Sequence, residues 1–150
     1  MNRLAPFKIV PGLQPVDTVS NTLYSDVVNL GRYDSVMFTI PIGAISTGNC
    51  TLTIEKCDDV VPTTPTAITF TPFVSGALPS DTFTEGTAAA SYTVAHASMS
   101  GKTITVTVKG EDLGSYGYVR AKIVGGGACL CAIVCILFDG RYAPDMTAIV

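Results

Sequence analysis

The chain has 150 residues, of which 47% are hydrophobic and 14% charged, and its formal net charge is −3. That length fits one domain, and the apolar content excludes a disordered chain. The nine Lys and Arg residues are scattered singly, which argues against nucleic-acid binding because such binding requires clustered cations. The high apolar content indicates either a partner surface or a compact sandwich with an uncharged, Thr/Ser-rich exterior, and composition alone favours neither.

The first segment, residues 1 to 22, is predicted to be an extended N-terminal arm. It contains Pro6, Pro11 and Pro15 among apolar residues. Proline lacks a backbone N–H and is excluded from helix interiors and central strands. The apolar side chains predict that the arm either packs along its own domain or lies on a neighbouring subunit. The candidate partner-binding residues of the arm are Phe7, Ile9, Val10, Pro11 and Leu13.

Residues 23 to 142 are predicted to form one antiparallel β-sandwich of jelly-roll type. Residues 103–108 alternate Thr with Ile or Val, which is typical of a strand with one buried face. Further strands are predicted at 27–30, 35–42, 51–55, 67–71, 91–95, 118–124 and 129–138. Turn-forming Gly, Pro, Asn and Asp residues separate them at the short spacing of a sandwich.

The segment Cys129 to Phe138 is apolar at both odd and even positions, which predicts a strand in the centre of its sheet. Residues 125–127 are all glycine and predict a hairpin turn between this strand and the one before it. The last residues, 143–150, are predicted to be an irregular apolar tail. The start lacks the apolar core of a signal peptide, and no apolar run approaches the roughly 20 residues of a membrane helix.

The five cysteines are an odd number without a signal peptide, which favours reduced thiols in a chain made in the cytoplasm. Cys129, Cys131 and Cys135 share one face of the predicted last strand. A zinc site there would need Cys50 or Cys57 as a further ligand. Small buried hydrophobic residues are the favoured interpretation, so no metal and no cofactor are predicted.

Catalysis is not predicted. His96 is the single histidine and carries no motif, so it is interpreted as a loop residue. The acidic pairs Asp58-Asp59 and Glu111-Asp112 lack the spacing of a calcium loop, and residues 125–127 lack the Lys-Ser/Thr of a phosphate loop.

Several segments together resemble small structural virion proteins of tailed bacteriophages. The segments are the strand, turn and strand of residues 27–38, the alternating strand and acidic turn of residues 51–59, and residues 117–123 and 136–144. The last of these looks like a closing strand followed by an Arg-aromatic-x-Pro tail, formed here by Arg141, Tyr142 and Pro144. The resemblance covers most of residues 20 to 144.

This resemblance implies a capsid decoration (cement) or head-fibre-base subunit that is assembled in the host cytoplasm and resides in the virion. Its implied partners are the major capsid protein or another virion protein, together with sister copies in a homo-oligomer, for which a trimer is favoured. Arg141, Tyr142 and Pro144 join the arm as candidate partner-binding residues. The alternatives are a tail, baseplate or fibre-base protein, and a carbohydrate-binding module with Tyr116 and Tyr118 as its aromatic platform.

Overall fold

A computed structural model describes residues 7–140, which form two antiparallel β-sheets. A four-residue helix, α1 (His96–Met99), and a 3₁₀ turn (Gly110–Leu113) accompany the strands. The strands are β1 (Phe7–Asp17), β2 (Thr22–Tyr24), β3 (Val28–Asn29), β4 (Tyr33–Ile45), β5 (Cys50–Cys57), β6 (Thr66–Ala67), β7 (Phe73–Ser75), β8 (Phe83–Glu85), β9 (Tyr92–Val94), β10 (Thr103–Lys109), β11 (Tyr118–Gly125) and β12 (Cys129–Gly140). No helix among these residues has the length and apolar character needed to span a membrane.

Sheet A has the strand order β1-β12-β4-β10-β7-β8, and sheet B the order β2-β11-β5-β6. Two further short strands extend sheet B, since β3 pairs with β11 and β9 pairs with β5. The long strands alternate between the sheets along the chain: β4 lies in A, β5 in B, β10 in A, β11 in B and β12 in A. The prediction of an all-β sandwich is confirmed.

The core lies between the sheets and is built by the period-two pattern of the strands. Ile104, Val106 and Val108 of β10 are buried, while the threonines between them are not. The inward faces of β4, β5, β11 and β12 alternate in the same way and supply most of the other buried side chains. Burying one apolar face of each sheet is therefore what holds the two sheets together.

The segment predicted as an extended arm pairs with its own domain over residues 7–17. Strand β1 runs antiparallel to β12, with Phe7 opposite Phe138 and Asp17 opposite Leu130. The register shifts around Leu13, between the two prolines of the strand. Proline is compatible with this position because β1 is an edge strand. Residues 1–6 and 141–150, including the predicted tail, lie outside the described residues.

Two local predictions were wrong. The glycines at 125–127 do not form a hairpin, because β11 lies in sheet B and β12 in sheet A, so this segment crosses between the sheets. The predicted strand at 67–71 is reduced to β6 and an isolated bridge between Phe70 and Ala89. The alternating Thr pattern could not reveal that these residues leave the sheet after two positions.

The outer face of sheet B carries a buried ion-pair network. Arg120 binds Glu55 Oε2 through Nε at 2.9 Å and a second nitrogen at 2.7 Å, and Lys122 Nζ lies 3.0 Å from Oε1. The Arg120 guanidinium also stacks on the ring of Tyr24, 4.1 Å from its centroid. Burial opposes ionisation of Glu55, but hydrogen bonds from Arg120 and Lys122 outweigh it and hold the Glu55 pKa below its ordinary value.

We predict that Glu55→Gln lowers the free energy of unfolding by about 3 kcal/mol at pH 7, because it leaves two cations without their buried counter-charge. Since the folded-state pKa is lowered, the contribution of Glu55 is present above the ordinary carboxyl pKa and lost as pH falls through the folded value. Urea unfolding should therefore show a large stability difference between the wild type and Glu55→Gln at pH 7, and a smaller one at pH 3. A variant within 0.5 kcal/mol of the wild type at pH 7 would contradict this.

Candidate protein-binding face

The outer face of sheet A is largely apolar across its first three strands. On β12 the inward residues are buried, while the residues between them point to the outside. These outward residues are Leu130, Ala132, Val134, Ile136 and Phe138, and all five are apolar. The sheet register sets β1 residues on one side of this row and β4 residues on the other.

The register aligns the outward side chains in rows across the strands. Phe7 lies opposite Phe138, Ile9 opposite Ile136, and Pro11 opposite Val134. The rings of Phe7 and Phe138 are 6.4 Å apart between centroids. On the other side, Met37 is opposite Ile136 and Thr39 is opposite Val134. The outward residues of β10 then add Thr103, Thr105 and Thr107. We call the outward residues of β1, β12, β4 and β10 the A face.

The A face is large for an exposed apolar surface. The strand rise makes it about 27 Å long between Leu130 and Phe138, and four strands make it about 14 Å wide between the outer strand axes. The corresponding footprint is of the order of 400 Å², which is the size of the largest apolar patch on a typical monomer, and such a patch is often functional. Phe7, Ile9 and Leu130 are 42%, 60% and 44% exposed, so side chains at the rim are accessible.

The two outer faces of the sandwich differ in the number of charged side chains they carry. Between its two end rows the A face contains no charged residue; Asp17 lies in the Leu130 row at one end and Lys109 in the Phe138 row at the other. The outer face of sheet B has Glu55, Arg120 and Lys122 at its centre. A charged outer face is usual for solvent contact, whereas depletion of charge is typical of the centre of a protein–protein interface.

The structure divides the predicted partner-binding residues of the arm between two environments. Phe7, Ile9 and Pro11 belong to the A face, while Val10 and Leu13 point inward and pack against the core. Arg141, Tyr142 and Pro144 lie outside the described residues. The alternation along β1 explains the division, because successive side chains of a strand point to opposite faces.

The sequence interpretation missed the β12 and β4 residues of the A face. β12 was predicted to lie in the centre of its sheet because it is apolar at both parities, and no exposed face was assigned to it. In the structure it is an inner strand, between β1 and β4, but only one of its faces packs against sheet B. An apolar strand with one face left outside is the signal for a binding surface, and the sequence pattern alone does not distinguish the two cases.

The edge strand β1 offers a second contact to a partner. Its outer backbone groups have no strand beside them in sheet A. One of them is already used, since the Gly12 carbonyl accepts a hydrogen bond of 2.8 Å from the Asp26 N–H. Pro11 and Pro15 further remove donors from this edge, which limits strand addition to short stretches.

All five cysteines are buried and free. Cys50, Cys129 and Cys131 come together at one end of the core, whereas Cys57 and Cys135 lie elsewhere on their strands. Burial is the largest cause that raises the pKa of Cys129 to about 12 and of Cys131 to about 11, and Cys50 adds to it in both. In residues 7–140 no group of three or more His, Cys, Asp or Glu side chains is arranged to hold a metal ion.

Tyr116 and Tyr118, considered for sugar binding, and His96, considered for catalysis, lie in different surroundings. The Tyr116 ring packs under Lys56 Nζ at 4.7 Å, and Tyr118 is opposite Cys57 on sheet B. His96 is exposed at the start of α1, where its backbone N–H donates to Asn49 Oδ1 at 2.9 Å. The two tyrosines therefore do not form one exposed platform. The hydrogen bond of His96 is made by its backbone to the Asn49 side chain.

Comparisons with known proteins establish the fold. No protein-family model matches the sequence, and no curated protein matches it. Among solved structures, the SPBc2 prophage-derived protein YomS matches with a TM-score of 0.50 and 11% identity, covering 87% of this chain and 91% of that chain. At this identity the likeness shows a shared fold alone.

Two other solved structures match less closely. A protein of Bacillus endospore appendages, described as a family of disulfide-linked pili, has a TM-score of 0.41 and 16% identity, covering 94% of this chain and 96% of that one. Xylanase 10B of Clostridium thermocellum has a TM-score of 0.26 and 11% identity, with 95% and 28% covered. These scores are too low to carry an argument.

Thr39 gives a prediction within the A face. Its hydroxyl is buried and has no hydrogen-bond partner among the described residues. Thr39→Val keeps the shape and removes this polar atom, so we predict a free energy of unfolding about 1 kcal/mol higher. Chemical denaturation measures it, with Thr107→Val on exposed β10 as the control. A Thr39→Val variant less stable than the wild type would show that the hydroxyl is satisfied.

Proposed function

We propose that this chain is a structural virion protein of a tailed phage, a decoration or cement subunit that binds the capsid surface and its own copies. The observation that carries the proposal is the A face, whose rows between Asp17 and Lys109 carry apolar and threonine side chains and no charge. It suits permanent attachment to protein neighbours, because its burial stabilises a complex without requiring complementary charges.

Two further observations support a particle protein. The two-sheet sandwich agrees with the fold that the resemblance to virion proteins implies, and it is shared with a protein of prophage origin. The single histidine of the sequence, His96, is exposed at the start of α1 with its backbone N–H bonded to Asn49, and the proposal assigns no catalytic activity to the chain. A tail, baseplate or fibre-base position is the alternative within the same structural class.

Charge placed on the A face should abolish binding and leave folding intact. Ile9→Asp and Leu130→Asp change exposed side chains, so each variant is expected to unfold cooperatively as the wild type does. A carboxylate buried without a partner costs well over 1.4 kcal/mol, so at least tenfold weaker association is expected. Sedimentation velocity across a concentration series measures self-association, and co-sedimentation with particles that lack the subunit measures attachment.

Val124→Asp is the matched control. Val124 is 37% exposed on the outer face of sheet B, and this variant adds the same charge away from the A face. It should associate as the wild type does. Equal loss in the Val124 and Ile9 variants would contradict the assignment of binding to the A face.

The position on the particle is tested separately. Mass spectrometry of purified particles, divided into heads and tails, should detect the chain in the head fraction. Detection in tails alone would favour the tail or fibre-base alternative. Absence from both fractions would overturn the proposal that this is a virion protein.

A further inference from the structure

Three short segments cross between the sheets at one end of the sandwich. Residues 18–21 join β1 to β2, residues 46–49 join β4 to β5, and residues 126–128 join β11 to β12. The crossings are hydrogen-bonded to one another: the Ser46 N–H donates to the Ala128 carbonyl at 3.0 Å, and the Thr18 hydroxyl donates to the Gly127 carbonyl at 2.6 Å. The crossing at 126–128 is therefore bonded to both of the other crossings.

The glycines show how close the crossings approach. A Cβ added to Gly126 would overlap the Asn49 carbonyl oxygen, and one added to Gly127 would overlap the Thr47 carbonyl oxygen. No side chain separates the two backbones at these positions. The crossings at 46–49 and 126–128 therefore run side by side in direct backbone contact, between the β4–β12 ladder on one side and the β5–β11 ladder on the other.

Each of two crossings is followed at once by a buried cysteine. Cys50 is the first residue of β5 in sheet B, and Cys129 is the first residue of β12 in sheet A. The Thr18 hydroxyl lies beside both, 3.9 Å from Cys50 Sγ and accepting a 3.2 Å hydrogen bond from the Cys129 N–H. Cys50 Sγ and the Cys129 backbone thus contact the same hydroxyl, and both residues are fully buried.

We propose that Cys50 and Cys129 are the two halves of an inter-sheet disulfide, which forms when the chain folds or opens in the presence of a small-molecule disulfide oxidant. Cys131 is the competing partner, since it is buried on the same face of β12 as Cys129. It lies two residues from Cys129 on the same strand face, where side chains point in parallel and the Cα separation of about 6.7 Å is at the limit for a disulfide. This inference is independent of the proposed function.

The chemistry is a two-step thiol–disulfide exchange. One cysteine thiolate attacks a sulfur of the oxidant, which forms a mixed disulfide and releases one small thiolate. The second cysteine thiolate then attacks the protein sulfur of the mixed disulfide, which forms the Cys50–Cys129 bond and releases the second small thiolate. The two cysteines lose two protons and two electrons, and the oxidant becomes two thiols.

Burial makes the folded chain resistant to this reaction. The raised pKa values of Cys129 and Cys131 leave almost no thiolate at neutral pH, and the thiolate is the reactive form. The bond is therefore expected to form during folding or local opening and to persist once the crossings close over it. A chain kept in a reducing cytoplasm remains in the free-thiol state.

The test is to refold the full reduced chain with a mixture of oxidised and reduced glutathione, and to map its peptides without reduction. We expect a peptide linked through Cys50 and Cys129. Because the bond closes a loop of about 80 residues, we also expect a melting temperature of the order of 10 °C above that of the reduced chain. The folded reduced chain in the same buffer should stay unlinked for far longer than refolding takes.

Cys57→Ala is the matched control, since Cys57 is buried outside the crossing end and its loss should change neither the link nor the shift. Cys50→Ala should lose both. The peptide map of the wild type decides the question even where a variant does not fold. Free Cys50 after refolding, a link between Cys50 and Cys57, or a link between Cys129 and Cys131 would overturn the proposal.

Discussion

The two-sided apolar character of β12 is the constraint on which the structure depends. Its inward residues, from Cys129 to Leu137, fill the core against sheet B, and its backbone holds β1 and β4 together. Its outward residues are equally apolar and are partly exposed, with Leu130 the most exposed of them. One strand thus stabilises the domain with one face, while its other face belongs to the surface that we propose for partner binding.

The sandwich therefore has two faces with different chemistry. On sheet B, Glu55 is satisfied by Arg120 and Lys122, so the charge of that face is balanced within the chain. On sheet A, apolar and threonine side chains extend from β1 to β10 without a charge between the end rows. A subunit fixed among protein neighbours benefits from this arrangement, because one face remains soluble while the other stabilises the assembly when buried.

The fold was predictable wherever one face of a strand was buried and the other wet, as in β10, because alternation identifies both the strand and its inward side. β1 was not predicted as a strand, because its prolines argue against a central position and the sequence does not show that an edge is free to accept them. The Glu55–Arg120 pair joins residues 65 positions apart, so no local pattern reveals it. The A face could not be predicted because both sides of β12 are apolar, and the sequence does not show which side packs against sheet B.

The central claim is that the A face is the surface buried in the assembled particle. Hydroxyl-radical footprinting of the free chain and of the particle-bound chain tests it most directly. Protection of Met37, Leu130, Ile136 and Phe138 on binding, with Tyr24 and Val124 of sheet B equally reactive in both states, is the predicted result. Protection of Tyr24 and Val124 with an unchanged A face would contradict the account.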